Sequence, residues 1–294
     1  MKIRIGVSAR GDADPVAFGT LVDDMESLEF DSIWLPEVLT QPAFDPIVAL
    51  AWIGGHNKKL KLGTTALVPG RNPLRLAKQV ATADALTGGR FLLTVVPGLT
   101  QPPERDAVGV ETSARGDVIE ELLPVLRRLW DGERVGHDGP AGRFPPTELW
   151  PLPVQRPFDV WLGGMAHRSL VRCGRIADGW LPSLCSPEEA SAGRRVIEDA
   201  AEEAGREISP EHFGANIIYG RTPLEDRVVA AMSARSRGRD PRALVPVGFE
   251  ALRENIERFI EVGFSKFVLR PAVAPSSWRA ELEDLATAIG GLQT

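Results

Sequence analysis

Strand-like and helix-like segments alternate along nearly the whole chain, and this alternation restricts the fold more than any other feature of the sequence. Short runs typical of strands are separated by segments with helix-start signals and helical periodicity. Repeated strand–helix units are typical of proteins with a parallel sheet. The eight predicted strands cover residues 2–9, 30–36, 59–68, 88–98, 158–163, 178–183, 212–219 and 265–270.

Two α/β architectures agree with this pattern, a doubly wound sheet and a closed (β/α)8 (TIM) barrel. Eight strands in 294 residues favour the barrel, whose usual size is about 250 residues. A doubly wound dinucleotide domain normally has GxGxxG after its first strand, but here SARGD (8–12) follows. The sequence therefore predicts one TIM-barrel domain over residues 1–294, with insertions after the fourth and seventh strands at 131–157 and 220–247.

Charge and cysteine usage limit the possible partners and compartments. A net charge of −6 argues against a nucleic-acid partner, and the cluster Arg235, Arg237 and Arg239 is interpreted as a solvated loop. The only cysteines, Cys173 and Cys185, lack CxxC spacing, which favours a reducing cytoplasm without a metal site or disulfide framework. Because no run of about 18 apolar residues occurs, we expect neither secretion nor a membrane span.

The predicted carboxyl ends of the strands, where barrel enzymes place their chemistry, contain few reactive side chains. No lysine suited to a Schiff base lies there, the histidines do not converge as metal ligands, and no GxSxG motif is present. Trp34, Trp161 and Trp180 lie on predicted strands and are interpreted as core residues rather than a substrate-stacking set. Such a site suits an organic cofactor that brings its own reactivity.

Four segments carry a resemblance to a known family. They are EFDSIWLPEV (29–38), LKLGTTALVPGRNPLRLAKQVATADALTGGRFLLTVVPG (60–98), VWLGGM (160–165) and GRIADGWLPS (174–183). In this order and spacing they resemble the luciferase-like monooxygenase superfamily, particularly the branch that uses the deazaflavin coenzyme F420. The resemblance implies a TIM barrel with the isoalloxazine-like ring in its mouth and the phosphate of the cofactor tail near the fifth and sixth strand ends.

The implied phosphate site lies in a glycine-containing turn. Gly163 and Gly164 precede Met165, Ala166 and His167 at a predicted helix start. Free N–H groups and the helix dipole favour an anion at such a position, and glycines permit its close approach. The alternative is a tight strand-to-helix turn without a ligand.

Two further segments match positions that lie against the ring in the family. Thr65 and Ala66 match the pair that often carries a strained, non-prolyl cis peptide at the end of the third strand; the alternative is an ordinary strand end. Val96, Pro97 and Gly98 match the fourth-strand segment along the cofactor, although many members have Gly-x-Gly there. The resemblance implies that these five residues contribute to cofactor binding.

The resemblance does not identify a catalytic residue. Glu37 matches an acidic position that faces the ring in deazaflavin members, and it is a weak catalytic candidate. Val38 and Leu99 replace a histidine and an acid that relatives use, so the mechanism of the sugar-phosphate dehydrogenases should not be transferred. Arg270, at the end of the eighth strand, is a candidate for an anionic substrate or for a structural ion pair.

The resulting hypothesis is an F420-dependent oxidoreductase that transfers a hydride between the deazaflavin C5 and a small organic substrate. One alternative is an FMN-dependent monooxygenase of the same superfamily, which would need a separate reductase. Another is a cofactor-binding barrel without catalysis, since Val38 and Leu99 replace reactive residues. The family also implies a homodimer, for which the apolar helix at residues 45–54 offers a self-complementary surface.

Overall fold

The computed structural model describes residues 1–9, 14–233 and 235–294. Within these residues, eight parallel strands form one sheet and two antiparallel strands form a separate hairpin. In chain order the strands are β1 (Arg4–Ser8), β2 (Ser32–Pro36), β3 (Lys61–Leu67), β4 (Phe91–Val96), the hairpin strands β5 (Val135–Gly139) and β6 (Gly142–Thr147), then β7 (Val160–Leu162), β8 (Gly179–Trp180), β9 (Gly214–Tyr219) and β10 (Lys266–Pro271).

Every barrel strand is followed by at least one helix. Several helices begin where the sequence places a polar cap before a proline: the side chains of Asp14, Asp45, Asn72 and Ser186 each accept a hydrogen bond from the first helical turn. No helix of the described residues has both the length and the apolar character to cross a bilayer. The α-helices are α1 (Pro15–Ser27), α2 (Pro46–His56), α3 (Pro73–Thr87), α4 (Glu104–Ala107), α5 (Arg115–Trp130), α6 (His167–Ile176), α7 (Pro187–Glu203), α8 (Asp226–Ser233), α9 (Phe249–Glu261) and α10 (Trp278–Ile289).

The sheet closes on itself. Its strand order, β8-β7-β4-β3-β2-β1-β10-β9, leaves β8 and β9 at the two edges. Isolated parallel bridges, Trp180 with Phe213 and Ser183 with Asn216, connect these edges, and the Asn216 N–H donates to the Pro182 carbonyl at 2.8 Å. The predicted (β/α)8 barrel is therefore confirmed.

Alternation along each strand sends side chains either into the barrel or outward against the helices. Leu62 and Ala66 on β3 belong to the large core shared with the helices. A smaller cluster, which we call the indole layer, contains residues from four strands and the residue that follows β8. Because these strands lie all around the barrel, their side chains can meet only inside it. The indole layer consists of Trp34, Trp161, Leu181 and Val268, with the partly buried Leu92 packed against it.

The three strand tryptophans are core residues, as predicted. Trp34 and Trp161 are 8% and 9% exposed, and Trp180 is fully buried among the outward-facing residues. Glycines on neighbouring strands make room for the interior rings. A Cβ atom at Gly63 would lie 2.3 Å from Trp34 Cδ2, and one at Gly179 would lie 2.4 Å from Trp161 Cε2. These contacts set the packing in the middle of the barrel.

Both segments that the sequence predicts as insertions contain secondary structure. Residues 131–157 include the β5–β6 hairpin, and residues 220–247 include α8 and a 3-10 helix at Pro241–Ala243. Helix α5 has no counterpart in the sequence prediction, although Val118, Leu122 and Leu126 recur at helical spacing and are buried. Pro124 inside the helix weakens that signal, because proline usually ends a helix.

The arginine cluster is only in part the solvated loop that the sequence predicts: Arg235 and Arg237 are exposed, whereas Arg239 is half-buried. Arg239 pairs with Glu189 in the first turn of α7, and its Nη2 donates to the Leu184 carbonyl at 2.8 Å. Arg237 Nη2 lies 3.6 Å from Glu189 Oε1. These contacts hold residues 235–239 against the start of α7. The partly buried carboxylate of Glu189 is stabilised by the arginine side chains beside it.

Candidate active site at the carboxyl ends of the barrel strands

All but one of the predicted site residues lie at or just after the carboxyl ends of four neighbouring strands, β2, β3, β4 and β7. Direct contacts connect these strand ends in sequence: the Glu37 N–H donates to the Thr65 carbonyl at 2.9 Å, and the Gly163 N–H donates to the Val95 carbonyl at 3.1 Å. The structure therefore brings together, along one side of the barrel mouth, Glu37, Thr65, Ala66, Val96, Pro97, Gly98, Gly163, Gly164, Met165, Ala166 and His167.

Glu37 is buried, and both of its carboxylate oxygens have protein partners. Oε2 accepts a hydrogen bond from the Leu67 N–H at 2.7 Å, and Oε1 pairs with Arg71. Burial raises the pKa of Glu37 above its ordinary value, an effect that Arg71 and the Leu67 N–H oppose. These contacts connect the end of β2 to the end of β3 and to the loop that follows it.

The expected non-prolyl cis peptide between Thr65 and Ala66 is wrong. The cis bonds of the described residues all precede proline. Here β3 continues without interruption, with Thr65 opposite Thr94 and Ala66 opposite Val95 in a regular parallel ladder with β4. Ala66 is fully buried in the outward-facing core, so Thr65 is the residue of this pair that faces the barrel mouth.

A buried arginine holds the segment that follows β4. Arg115, at the start of α5, is 1% exposed, and its Nη1 donates to the carbonyls of Pro97 at 3.3 Å and Leu99 at 2.8 Å. Gly98 has φ +89°, and a Cβ atom there would lie 2.9 Å from Leu67 Cδ2. Arg115 thus fixes the backbone of the predicted cofactor segment, a role that the sequence did not indicate.

The turn after β7 depends on two glycines. Gly164 has φ +102°, a conformation that side-chain-bearing residues rarely adopt, and its carbonyl accepts a hydrogen bond from Trp180 Nε1 at 2.9 Å. A Cβ atom at Gly163 would lie 2.8 Å from Val96 Cγ1. The turn therefore lies directly against the end of β4.

Helix α6 starts in this turn with its first N–H groups accessible. Its N-cap residue is Ala166, which has extended backbone angles but no side-chain oxygen that could accept from the first turn. Gly164, Ala166 and His167 are all exposed. An exposed helix N-terminus without a side-chain cap can accept an anion.

Arg270 lies apart from the other predicted residues. It is half-buried on β10, opposite Ile218 of β9, and it has an interaction partner in the structure. Since β1 lies between β10 and β2, Arg270 faces the group around Glu37 from another part of the mouth. The substrate role suggested for Arg270 stays a prediction.

Above the indole layer lies a second set of inward-facing side chains, which we call the polar layer: Thr94, Ser183 and Asn216. Thr94 and Ser183 stand two residues after Leu92 and Leu181 and therefore point the same way. Asn216 is opposite both Ser183 and Val268 in parallel pairing. Their oxygens, Thr94 Oγ1, Ser183 Oγ and Asn216 Oδ1, are buried and find no hydrogen-bond partner among the described residues.

Unpaired buried oxygens are costly, so the polar layer indicates a ligand group or water that completes it. A flat ring system with carbonyl and N–H groups would find donors and acceptors in these three side chains. A phosphate on the same ligand would find the start of α6, which follows a neighbouring strand. The residues at this mouth therefore fit a flavin-like cofactor.

The polar layer and the two arginines at the site were not assigned from the sequence. Thr94 lies within the apolar run FLLTVV, and such a run does not show which residues point inward because both faces of the strand are covered. Arg71 and Arg115 resemble ordinary loop and helix residues. Only the strand register and the placement of the loops show what these side chains contact.

Comparisons with known proteins identify the family of this chain. The luciferase-like monooxygenase family profile matches residues 2–259. Rv3520c of Mycobacterium tuberculosis (strain ATCC 25618 / H37Rv), provisionally named a coenzyme F420-dependent oxidoreductase, is 26% identical over 244 residues, which cover 78% of this chain and 69% of that protein.

Solved structures show the same fold at lower identity. An F420-dependent secondary alcohol dehydrogenase in complex with an F420-acetone adduct has a TM-score of 0.84 and 19% identity, with 100% of both chains covered. Monooxygenase RslO1 from Streptomyces bottropensis has a TM-score of 0.78 and 18% identity, with 99% of both chains covered. Because the family profile spans most of the sequence, the chain belongs to the luciferase-like monooxygenase family and is an oxidoreductase.

Proposed function

We propose that this oxidoreductase uses coenzyme F420 to transfer a hydride to or from a small organic substrate at the barrel mouth. The observation that carries the proposal is the polar layer, whose buried oxygens lack protein partners beside an exposed helix start. The name of Rv3520c and the fold shared with the F420-dependent alcohol dehydrogenase support the choice of cofactor. The alternative, an FMN-dependent monooxygenase, is supported by the fold shared with RslO1.

In this proposal Thr94, Ser183 and Asn216 bind the polar edge of the ring, and the turn from Gly163 to His167 binds the phosphate of the tail. Glu37 and Arg115 would hold the adjoining ends of β3 and β4, the part of the mouth against which the ring would lie. When bound, the deazaflavin supplies a carbon, C5, that exchanges a hydride with substrate.

The chain's own contribution is mainly orientation and exclusion of water. The indole layer closes the barrel beneath the polar layer, so a ring bound there would have little water on its inner side. Val38, next to Glu37, cannot exchange a proton. Catalysis in this proposal therefore depends on positioning rather than on proton transfer by that residue.

Two threonines on adjacent strands provide a matched test of the ring site. Thr94→Val removes a hydroxyl without a protein partner, so we expect unchanged or higher stability and about tenfold weaker cofactor binding. Thr64 is fully buried and faces outward, and its hydroxyl donates to the Leu35 carbonyl at 2.9 Å. Thr64→Val should lower stability by about 1 kcal/mol and leave cofactor affinity unchanged.

Urea unfolding and fluorescence titration of both variants measure these two effects. Equal cofactor affinity in Thr94→Val and the wild-type chain would show that the polar layer does not bind the ring. A stability loss in Thr94→Val as large as that in Thr64→Val would show that the Thr94 hydroxyl has a structural role.

Titration of the purified chain with F420 and with FMN tests the choice of cofactor. We expect F420 to bind at least about tenfold more tightly. Tighter binding of FMN would favour the monooxygenase. Tight F420 binding, without a change in cofactor absorbance on addition of any compound from a panel of alcohols, aldehydes and ketones, would instead favour a binding protein without catalysis.

We also propose that the protein forms a homodimer in the cytoplasm. On α2, Val48 and Trp52 are 68% and 47% exposed, and Val16 on α1 is 77% exposed, so this face presents apolar side chains to a second copy. Trp52→Glu should shift the molar mass measured by light scattering from dimer to monomer. A monomeric wild-type chain would contradict the dimer.

Both cysteines are buried free thiols, which agrees with the proposed reducing compartment, and cell fractionation tests the location.

A further inference from the structure

The barrel holds a second cavity at the opposite end from the candidate active site. This lower cavity has a volume of about 210 Å³ and lies among the amino ends of the barrel strands. Its apolar wall includes Trp34, Trp161 and Leu92, which are members of the indole layer. The indole layer therefore separates the lower cavity from the polar layer above it.

The charged groups around the lower cavity are unevenly paired. Asp31 is shared by two cations: its Oδ1 lies 2.9 Å from Lys61 Nζ and 3.5 Å from Arg4 Nη1. Asp159 is oriented toward His212, whose Nε2 lies 3.8 Å from Asp159 Oδ2. The cavity therefore has three cationic side chains, counting Lys266, and two carboxylates, of which Asp31 is ion-paired and Asp159 lies near His212.

Lys266 is the cation without a carboxylate partner. Its Nζ lies 4.7 Å from the centre of the Trp161 ring, and within the described ranges no carboxylate forms an ion pair with it. Burial, together with repulsion from Lys61, lowers the pKa of Lys266 below its ordinary value, although the more distant carboxylates of Asp159, Asp31 and Glu211 oppose this shift. An anion beside this ammonium group would relieve both effects.

We propose that the lower cavity binds a small carboxylate with a flat apolar body, its carboxylate group at Lys266 and its body against Trp161 and Leu92. An apolar cavity of about 150 Å³ is enough for benzene, so about 210 Å³ accommodates an aromatic ring with one carboxylate. Convergent polar groups in a mainly apolar cavity are typical of small-ligand sites. The alternative is that these residues only close the base of the barrel, where side chains usually serve stability.

Calorimetric titration of the full chain with benzoate, and with benzamide as its neutral analogue, tests the charge requirement. We expect benzoate to bind at least about tenfold more tightly than benzamide. Lys266→Met should weaken benzoate binding by at least about tenfold, whereas Lys2→Met, at an exposed lysine, should leave it unchanged. Thermal unfolding of both variants checks that they are folded.

A second variant tests the location of the site without changing charge. Leu92→Phe places a larger side chain at the cavity wall and should weaken benzoate binding, while Thr94→Val in the polar layer should not. A crystal soaked with 4-bromobenzoate should show bromine between the indole layer and the strand amino ends. Equal benzoate binding by Lys266→Met, no binding of benzoate, or bromine only at the upper mouth would overturn the proposal.

Discussion

Glu37 shows how tertiary contacts can change the role expected of a single residue. From the sequence it is an acid beside a cofactor ring, but in the structure its oxygens face the Leu67 N–H and Arg71. A carboxylate with both oxygens engaged is less available for proton exchange with substrate. We therefore expect Glu37 to act as a positioning residue for the end of β3.

The raised pKa of Glu37 leads to a prediction about stability and pH. Because its pKa in the folded chain lies above the ordinary value of 4.5, the folded chain binds a proton there more tightly than the unfolded chain. Stability from this group is fully present below 4.5 and is lost as pH rises through the folded-state pKa. Glu37→Gln does not titrate and avoids that loss.

The stability of the wild-type chain relative to Glu37→Gln should therefore fall as pH rises. Urea unfolding of both chains from about pH 4 to about pH 7 measures this difference. The two chains share all their other titrating groups, so the contributions of those groups to the pH dependence cancel to first order. An advantage that grows with pH would contradict the prediction. It would show that the attraction of Arg71 for the carboxylate outweighs burial.

At the scale of secondary-structure elements, the start of α6 differs from its neighbours because Ala166 cannot cap it with a side-chain oxygen. Ala166 has φ −68° and ψ 143°, the extended conformation that capping residues adopt. Substitution with Asn or Asp should therefore cap the helix and raise the free energy of unfolding by about 0.5–2 kcal/mol.

If the first backbone N–H groups of α6 bind the phosphate of a cofactor, a capping side chain at position 166 competes with the phosphate for them. We expect Ala166→Asp to weaken cofactor binding by at least about tenfold, because its carboxylate also repels the phosphate. Ala166→Asn supplies the cap without the charge and should weaken binding less. Higher stability with unchanged cofactor affinity in both variants would identify the turn as an ordinary connection between β7 and α6.

For the whole molecule, closure of the barrel depends on glycines that lie against the interior rings. Gly63→Ala would place a Cβ atom 2.3 Å from Trp34 Cδ2, so Trp34 or β3 must move, and we expect a loss of about 1–3 kcal/mol. Gly55 on α2 is exposed and has no atoms within 4 Å of the added Cβ. Gly55→Ala should be neutral or stabilising by about 0.5–1 kcal/mol.

Urea unfolding of both alanine variants, monitored by circular dichroism, measures this contrast. A Gly63→Ala chain as stable as the wild type would show that the interior of the barrel adjusts at little cost. The double variant Gly63→Ala with Trp34→Leu should recover part of the lost stability, since the smaller side chain leaves room for the added methyl group.

The sequence by itself determined the order of the elements. Strand and helix signals are local: caps such as Asp45 and Asn72 and short apolar runs act through neighbouring residues, and they predicted the eight barrel strands. The same information placed the glycine turn at 163–164 between a strand and a helix. Helix α5 was missed because Pro124 interrupts its local signal.

Only the tertiary structure decided which side chains face one another. The polar layer, the Glu37–Arg71 pair, the carbonyls held by Arg115 and the cations of the lower cavity each join residues that are distant along the chain. Their contacts depend on strand register and barrel closure, because a shift of one residue reverses the face on which every side chain of a strand lies. That physical reason explains why the sequence predicted the barrel and its mouth, whereas the partners of individual site residues required the fold.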